Sequence, residues 1–126
     1  MTNILLVEDN SITVIDIKRM LHKNGYNPKV AVNGKEALEM VEKEEFDILI
    51  TDLLIPYVNG LELIQKLKND ENSKNIKIII VSGIDDDLTM AEANKLGVDD
   101  YLIKPIVAFD LISSINKLVG ATDIYI

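Results

Sequence analysis

Asp47-Ile48-Leu49-Ile50-Thr51-Asp52 sets three consecutive aliphatic residues between two carboxylates. A strand with one face in water alternates apolar and polar residues, whereas an unbroken branched-aliphatic run suits a strand covered on both faces, as in a parallel sheet. The same form recurs outward from it. Ile4-Leu5-Leu6-Val7 runs into Glu8-Asp9, Ile76 with Ile78-Ile79-Ile80-Val81 into Ser82-Gly83, and Tyr101-Leu102-Ile103 into Lys104-Pro105. Val30-Ala31-Val32 is a shorter candidate with polar flanks, and reads as an edge strand.

Between these runs the apolar period changes to that of a helix. Val14, Ile17 and Leu21 form one stripe, Ala37, Met40 and Val41 a second, Leu61, Ile64 and Leu67 a third, and Leu111, Ile115 and Leu118 a fourth, while Met90, Ala93 and Leu96 make a thinner one. Gly25, Gly97 and Gly120 each follow a helical pattern, where a left-handed residue can close the last turn. Asn33 with Glu36 resembles a capping box. Asp85-Asp86-Asp87 supplies a cap and negative charge to a helix start, and the lone His22 reads as a surface residue.

Five βα units in 126 residues make one domain, residues 1–126. Right-handed crossovers require helices on both faces, so the expected fold is α/β: a doubly wound (βα)5 three-layer sandwich on a parallel five-stranded sheet, with strand order 2-1-3-4-5 the leading option. The crevice then opens above the carboxyl ends of strands 1 and 3. Three carboxylates, Glu8, Asp9 and Asp52, are expected to converge there, with Lys104 and Ser82 on the adjoining strand ends. Oxygen-only ligands favour Mg2+ over zinc. A carboxylate, a divalent cation, an ammonium and a hydroxyl are a kit for phosphoryl transfer, with Asp52 as nucleophile and Glu8 and Asp9 holding the metal.

Composition removes other classes. There is no cysteine, so disulfide frameworks, thiolate metal sites and cysteine nucleophiles are excluded. With 13 Lys+Arg against 21 Asp+Glu the formal net charge is −8, which repels phosphate backbones and anionic lipid. No apolar run approaches the roughly 18 residues of a membrane span, and the N-terminus lacks the basic region of a signal peptide. A soluble cytoplasmic protein, with neither direct nucleic-acid contact nor membrane insertion, is expected.

The sequence Ile4-Leu5-Leu6-Val7-Glu8-Asp9-Asn10, the stretch Asp47 to Pro56 followed by Asn59-Gly60, Ile80-Val81-Ser82-Gly83, and Asp100-Tyr101-Leu102-Ile103-Lys104-Pro105 together resemble the receiver domain of two-component response regulators, the CheY-like family. The resemblance covers essentially the whole chain and implies a flavodoxin-like fold. It implies that Asp52 is the phosphoacceptor for a histidine kinase's phosphohistidine, and that Glu8 and Asp9 hold Mg2+ with Asp52 and the Leu54 backbone carbonyl. Ser82 matches the switch hydroxyl, Lys104 its ion-pair partner, Tyr101 the switch aromatic, and the Lys104-Pro105 bond is expected to be cis. Implied partners are a histidine kinase or phosphotransfer protein and a downstream effector, for a monomer or weak dimer. Such a domain catalyses its own phosphorylation and slow dephosphorylation and is not a turnover enzyme.

Two features depart from that pattern. Apolar Leu54 and Ile84 flank the acceptor and the switch hydroxyl, and Tyr57 stands where relatives usually carry Gly, marking a partner-contacting loop. Three alternatives compete. A haloacid-dehalogenase-type hydrolase wants a second Asp where Leu54 stands, and a flavin carrier would have its phosphate repelled by Glu8-Asp9. A receiver that binds partners without phosphorylation keeps the same residues. The expected protein is a single-domain regulator, or a receiver from a larger regulator or hybrid kinase.

Overall fold

The computed structural model describes residues 1–120. Strands and helices alternate without exception among them: β1 (Ile4–Val7), α1 (Ser11–Lys23), β2 (Lys29–Ala31), α2 (Gly34–Lys43), β3 (Ile48–Thr51), α3 (Gly60–Lys68), β4 (Lys77–Ser82), α4 (Asp87–Lys95), β5 (Asp100–Ile103) and α5 (Ala108–Gly120). All neighbouring strands are parallel, in the order β2-β1-β3-β4-β5. The expected doubly wound flavodoxin-like sheet is therefore the observed one.

The unbroken apolar runs divide between two cores because successive strand residues face opposite sides. Leu5 and Val7 of β1, with Leu49 of β3 and Ile78 and Ile80 of β4, join a cluster closed by Ala37 of α2, Leu63 and Leu67 of α3 and Ala93 of α4. Ile4, Leu6, Ile48, Ile50, Ile79 and Val81 join the other, closed by Ile17 and Leu21 of α1 and Leu111 and Ile115 of α5. Two helices thus cover one face and three the other. β1 and β3 are wholly buried, which is why their residues are aliphatic apart from Thr51, whose hydroxyl donates to the Asp52 carbonyl at 2.8 Å.

At four places the structure departs from the sequence reading. Ile76 precedes β4 rather than starting it, and Val32 lies past the end of β2 and is exposed. β5 is only half-buried, being the second edge of the sheet, although Tyr101 packs on one core and Leu102 on the other. Gly25 and Gly97 do adopt positive φ, at 83° and 87°, whereas Gly120 is helical, as the last described residue of α5. Asn33 caps α2 by accepting from the Glu36 N–H at 2.7 Å, and the Glu36 carboxylate reaches back to the Val32 N–H rather than to that of Asn33.

No helix among the described residues is long and apolar enough to cross a membrane. His22 is exposed, as expected, with its Nε2 3.2 Å from Asn27 Oδ1.

Candidate functional site

Strand register brings the candidate residues together. Val7 pairs with Thr51 across β1 and β3, so Glu8 and Asp52 leave adjacent strand ends, and the Asp52 N–H donates to the Val7 carbonyl. Ser82 pairs with Ile103 across β4 and β5, and the Lys104 N–H donates to the Ser82 carbonyl. The four side chains therefore meet at the C-terminal edge of the sheet, beside the point where the winding reverses, where open α/β sheets place their sites.

Lys104 is the centre of the cluster. Its Nζ lies 2.7 Å from Asp52 Oδ2 and 3.0 Å from Glu8 Oε1. Asp52 is 9% exposed and Glu8 only 2%. The other Asp52 oxygen, Oδ1, accepts from the N–H groups of Leu53 (2.6 Å) and Leu54 (3.3 Å). Glu8 Oε2 accepts from the Asn10 N–H, which also places Asn10 to cap α1 through Thr13. Burial raises the Glu8 pKa against the opposing hydrogen bonds from Lys104 and Asn10. Burial pulls Lys104 down, but the hydrogen bonds and charges of Asp52 and Glu8 outweigh it, and its pKa rises.

The expected convergence of three carboxylates is met by two. Asp9 is exposed, and among the described residues no group of three or more acidic or imidazole side chains is arranged to hold an ion. Glu8 turns inward to Lys104 beside Asp52, whereas Asp9, one residue further past the end of β1, faces water. The donor chemistry still suits Mg2+, for Glu8, Asp9, Asp52 and the Leu54 carbonyl offer only hard oxygens, and Glu8 is a desolvated carboxylate that gains from a nearby cation.

A second group of contacts lies on the β4–α4 side. Ser82, fully buried, accepts from the Ile84 N–H at 3.1 Å, while the Tyr101 hydroxyl donates to the Ile84 carbonyl at 2.7 Å. Burial pushes the Tyr101 phenol up, with the negative charges of Asp86, Asp52 and Asp85 adding to it and the nearby Ser82 hydroxyl opposing it. The Lys104-Pro105 bond is cis, as the resemblance implied.

Three backbone features escape a reading of residue types. A methyl group on Gly60 would fall 2.5 Å from the Asp52 carbonyl oxygen and 2.6 Å from Leu53 Cα, so the start of α3 packs directly on the acceptor's own backbone. On Gly34 a methyl would overlap the carbonyl oxygen of Val58, and the Gly34 N–H donates to the Pro56 carbonyl at 3.3 Å. Tyr57, between them, has φ +69°. The Asn59-Gly60 pair signals a helix start, but nothing local shows which loop each glycine must admit. A cavity of about 840 Å³ is lined by residues such as Glu44, Phe46 and Lys77, and no site residue borders it.

Comparison with known proteins agrees with this geometry. The response regulator receiver domain model matches residues 4–116. The transcriptional regulatory protein CrdR of Helicobacter pylori is 38% identical over 86% of this chain and 49% of its own length. Chemotaxis protein CheY-3 of Vibrio cholerae is 30% identical over 91% of this chain and 89% of its own length. The chain spans about half the length of the first curated relatives it matches. Among solved structures, the receiver domain of sensor histidine kinase PA1611 from Pseudomonas aeruginosa, which has a magnesium ion coordinated in its active site cleft, superposes with a TM-score of 0.87 at 26% identity, covering 95% of this chain and 98% of that one.

Proposed function

The chain belongs to the response regulator receiver family, and on that premise we propose that Asp52 accepts a phosphoryl group from the phosphohistidine of a histidine kinase or phosphotransfer protein. The observation that carries this reading is the Asp52 carboxylate itself, nearly buried at a strand end and held by Lys104 Nζ at 2.7 Å and by two backbone N–H groups. Such fixing presents a carboxylate oxygen in one orientation to an incoming phosphorus. A carboxylate oxygen of Asp52 attacks, the P–N bond to the donor imidazole breaks, and the imidazole leaves with the electron pair. The product is an acyl phosphate on Asp52.

Lys104 neutralises charge on the phosphoryl oxygens, having carried the carboxylates before transfer. Glu8, Asp9, Asp52 and the Leu54 carbonyl would hold Mg2+, which when bound would supply further neutralisation of charge on the transferring oxygens. Phosphorylation adds about −1.5 to −2 charge and strong acceptors, for which the Ser82 hydroxyl is a donor. Ser82 and Tyr101 both hold Ile84, so recruiting Ser82 to a phosphoryl oxygen changes what holds the β4–α4 loop. That loop is the readout to a downstream effector. The whole chain, residues 1–126, acts as one cytoplasmic receiver whose chemistry is signalling rather than turnover, as a monomer or weak dimer.

The test is incubation with Mg2+ and acetyl phosphate followed by intact mass, repeated with Asp52→Asn and with excess EDTA. One phosphoryl adduct, absent from both controls, is expected. An adduct that survives Asp52→Asn overturns the assignment of the acceptor, and a chain that neither gains the adduct nor binds Mg2+ is a phosphorylation-independent interaction module.

A further inference from the structure

Tyr57 is the only non-glycine residue at positive φ among the described residues. The Val58 N–H donates to the Pro56 carbonyl at 3.0 Å, closing a three-residue turn around it. An L side chain is strained in that conformation, where its Cβ crowds the backbone. The ring offsets little of this strain inside the chain, because Tyr57 is 81% exposed. Nor can the turn relax freely. The Pro56 carbonyl also takes the Gly34 N–H, and Val58 lies against Gly34 with no space for a Cβ. An aromatic ring is thus clamped outward at an energetic cost that the folded chain alone does not explain, and strain retained in this way points to a contact outside the molecule.

The position of the loop identifies the contact. It begins at the acceptor, since the Leu53 and Leu54 N–H groups hold Asp52 Oδ1, and Leu54 is itself 70% exposed. A protein that brings a phosphohistidine into line with Asp52 must cover this loop. A downstream effector has no such obligation, and a small phosphodonor is too short to span acceptor and rim together. Resting on the phosphoacceptor reading of Asp52, we propose that Tyr57 is a specificity-determining residue that docks the protein phosphodonor and has no part in the chemistry at Asp52. The donor surface opposite it is apolar or basic, matching an aromatic ring on a chain of formal charge −8. Because the clamp fixes the ring in advance, little ordering cost falls on binding.

The experiment compares two donors, phosphoramidate and a phosphorylated histidine phosphotransfer domain, on the wild-type chain, Tyr57→Gly and Tyr57→Phe. For the protein donor, Tyr57→Gly is expected to lower kcat/KM about 10-fold or more through KM, with kcat held, while Tyr57→Phe stays within about 2-fold and phosphoramidate rates stay within about 2-fold for all three. Glycine suits the backbone at this position, so misfolding does not stand in for lost docking. Unchanged transfer from the protein donor to Tyr57→Gly overturns the proposal. So does an equal fall with both donors, which would place Tyr57 in the geometry of the site. A wild-type chain that accepts phosphate from neither donor overturns the phosphoacceptor reading itself, and the docking role with it.

Discussion

Ser82 and Tyr101 hold the same residue from two sides, Ser82 Oγ taking the Ile84 N–H and the Tyr101 hydroxyl binding the Ile84 carbonyl. The start of the β4–α4 loop is therefore tied to two different strands. Tyr101→Phe removes one tie while keeping the ring, and is expected to cost about 0.5–1.5 kcal/mol in urea unfolding. Hydrogen exchange at residues 83–86 should quicken in the same variant, and unchanged exchange there would show that the hydroxyl does not restrain the loop.

The Tyr101 phenol also titrates late. Its folded pKa lies above the ordinary 10.0 because burial disfavours the phenolate. The associated stability is complete below the unfolded value and is lost as pH rises through the folded one. Ultraviolet titration should show a tyrosine component ionising above 10.0, and Tyr101→Phe should remove that component.

Asp86 caps α4, accepting from the Thr89 N–H at 2.8 Å and from its hydroxyl at 3.0 Å. The backbone hydrogen bond, then the hydroxyl one, lowers its pKa below 3.8. A depressed carboxylate contributes stability that is present above the unfolded pKa and lost as pH falls through the folded one. Thermal melting across this acid range should fall less steeply in Asp86→Asn, which keeps a capping oxygen that does not titrate. An identical slope would mean that the cap is not what titrates.

Lys104 is the single cation shared by Glu8 and Asp52. Replacing it by Met leaves both carboxylates without their counter-charge and removes a charge that acts on the transferred group. The initial rate of phosphorylation by acetyl phosphate is expected to fall by on the order of 10²-fold. A rate near wild type would show that Lys104 serves only to hold the resting carboxylates.

At Gly60, addition of a methyl by Gly60→Ala forces apart α3 and the backbone that carries Asp52. Overpacking of this kind costs about 1–3 kcal/mol, readable as a lower urea midpoint. Tyr57→Gly should act in the opposite direction. Relief of about 1–2 kcal/mol of left-handed strain exceeds the roughly 0.4–1 kcal/mol that glycine adds to the entropy of the unfolded chain.

Much of the molecule was legible from residue types alone. Apolar runs such as Ile48-Leu49-Ile50 and Ile78-Ile79-Ile80 mark strands, because a strand covered on both faces sends its side chains alternately into two apolar cores. Handedness of the crossovers then leaves few sheet orders, and the observed one was the leading option. Glu8, Asp52, Ser82 and Lys104 are at strand ends in the sequence, so a parallel sheet had to gather them on one edge.

Tertiary structure decided the rest, because it depends on which side of a chain faces a neighbour far away in sequence. Just past the end of β1, Glu8 is turned inward and Asp9 left exposed, although the two are equivalent carboxylates on paper. Sheet order makes β5 an edge, although its Tyr101-Leu102-Ile103 run reads like that of an interior strand. The loop after Asp52 passes Gly34, whose missing Cβ admits Val58, and so turns back through Tyr57 at φ +69°. Periodicity and residue chemistry are local and can be read along the chain; the direction of a side chain and the space left by a neighbour exist only once the layers have packed.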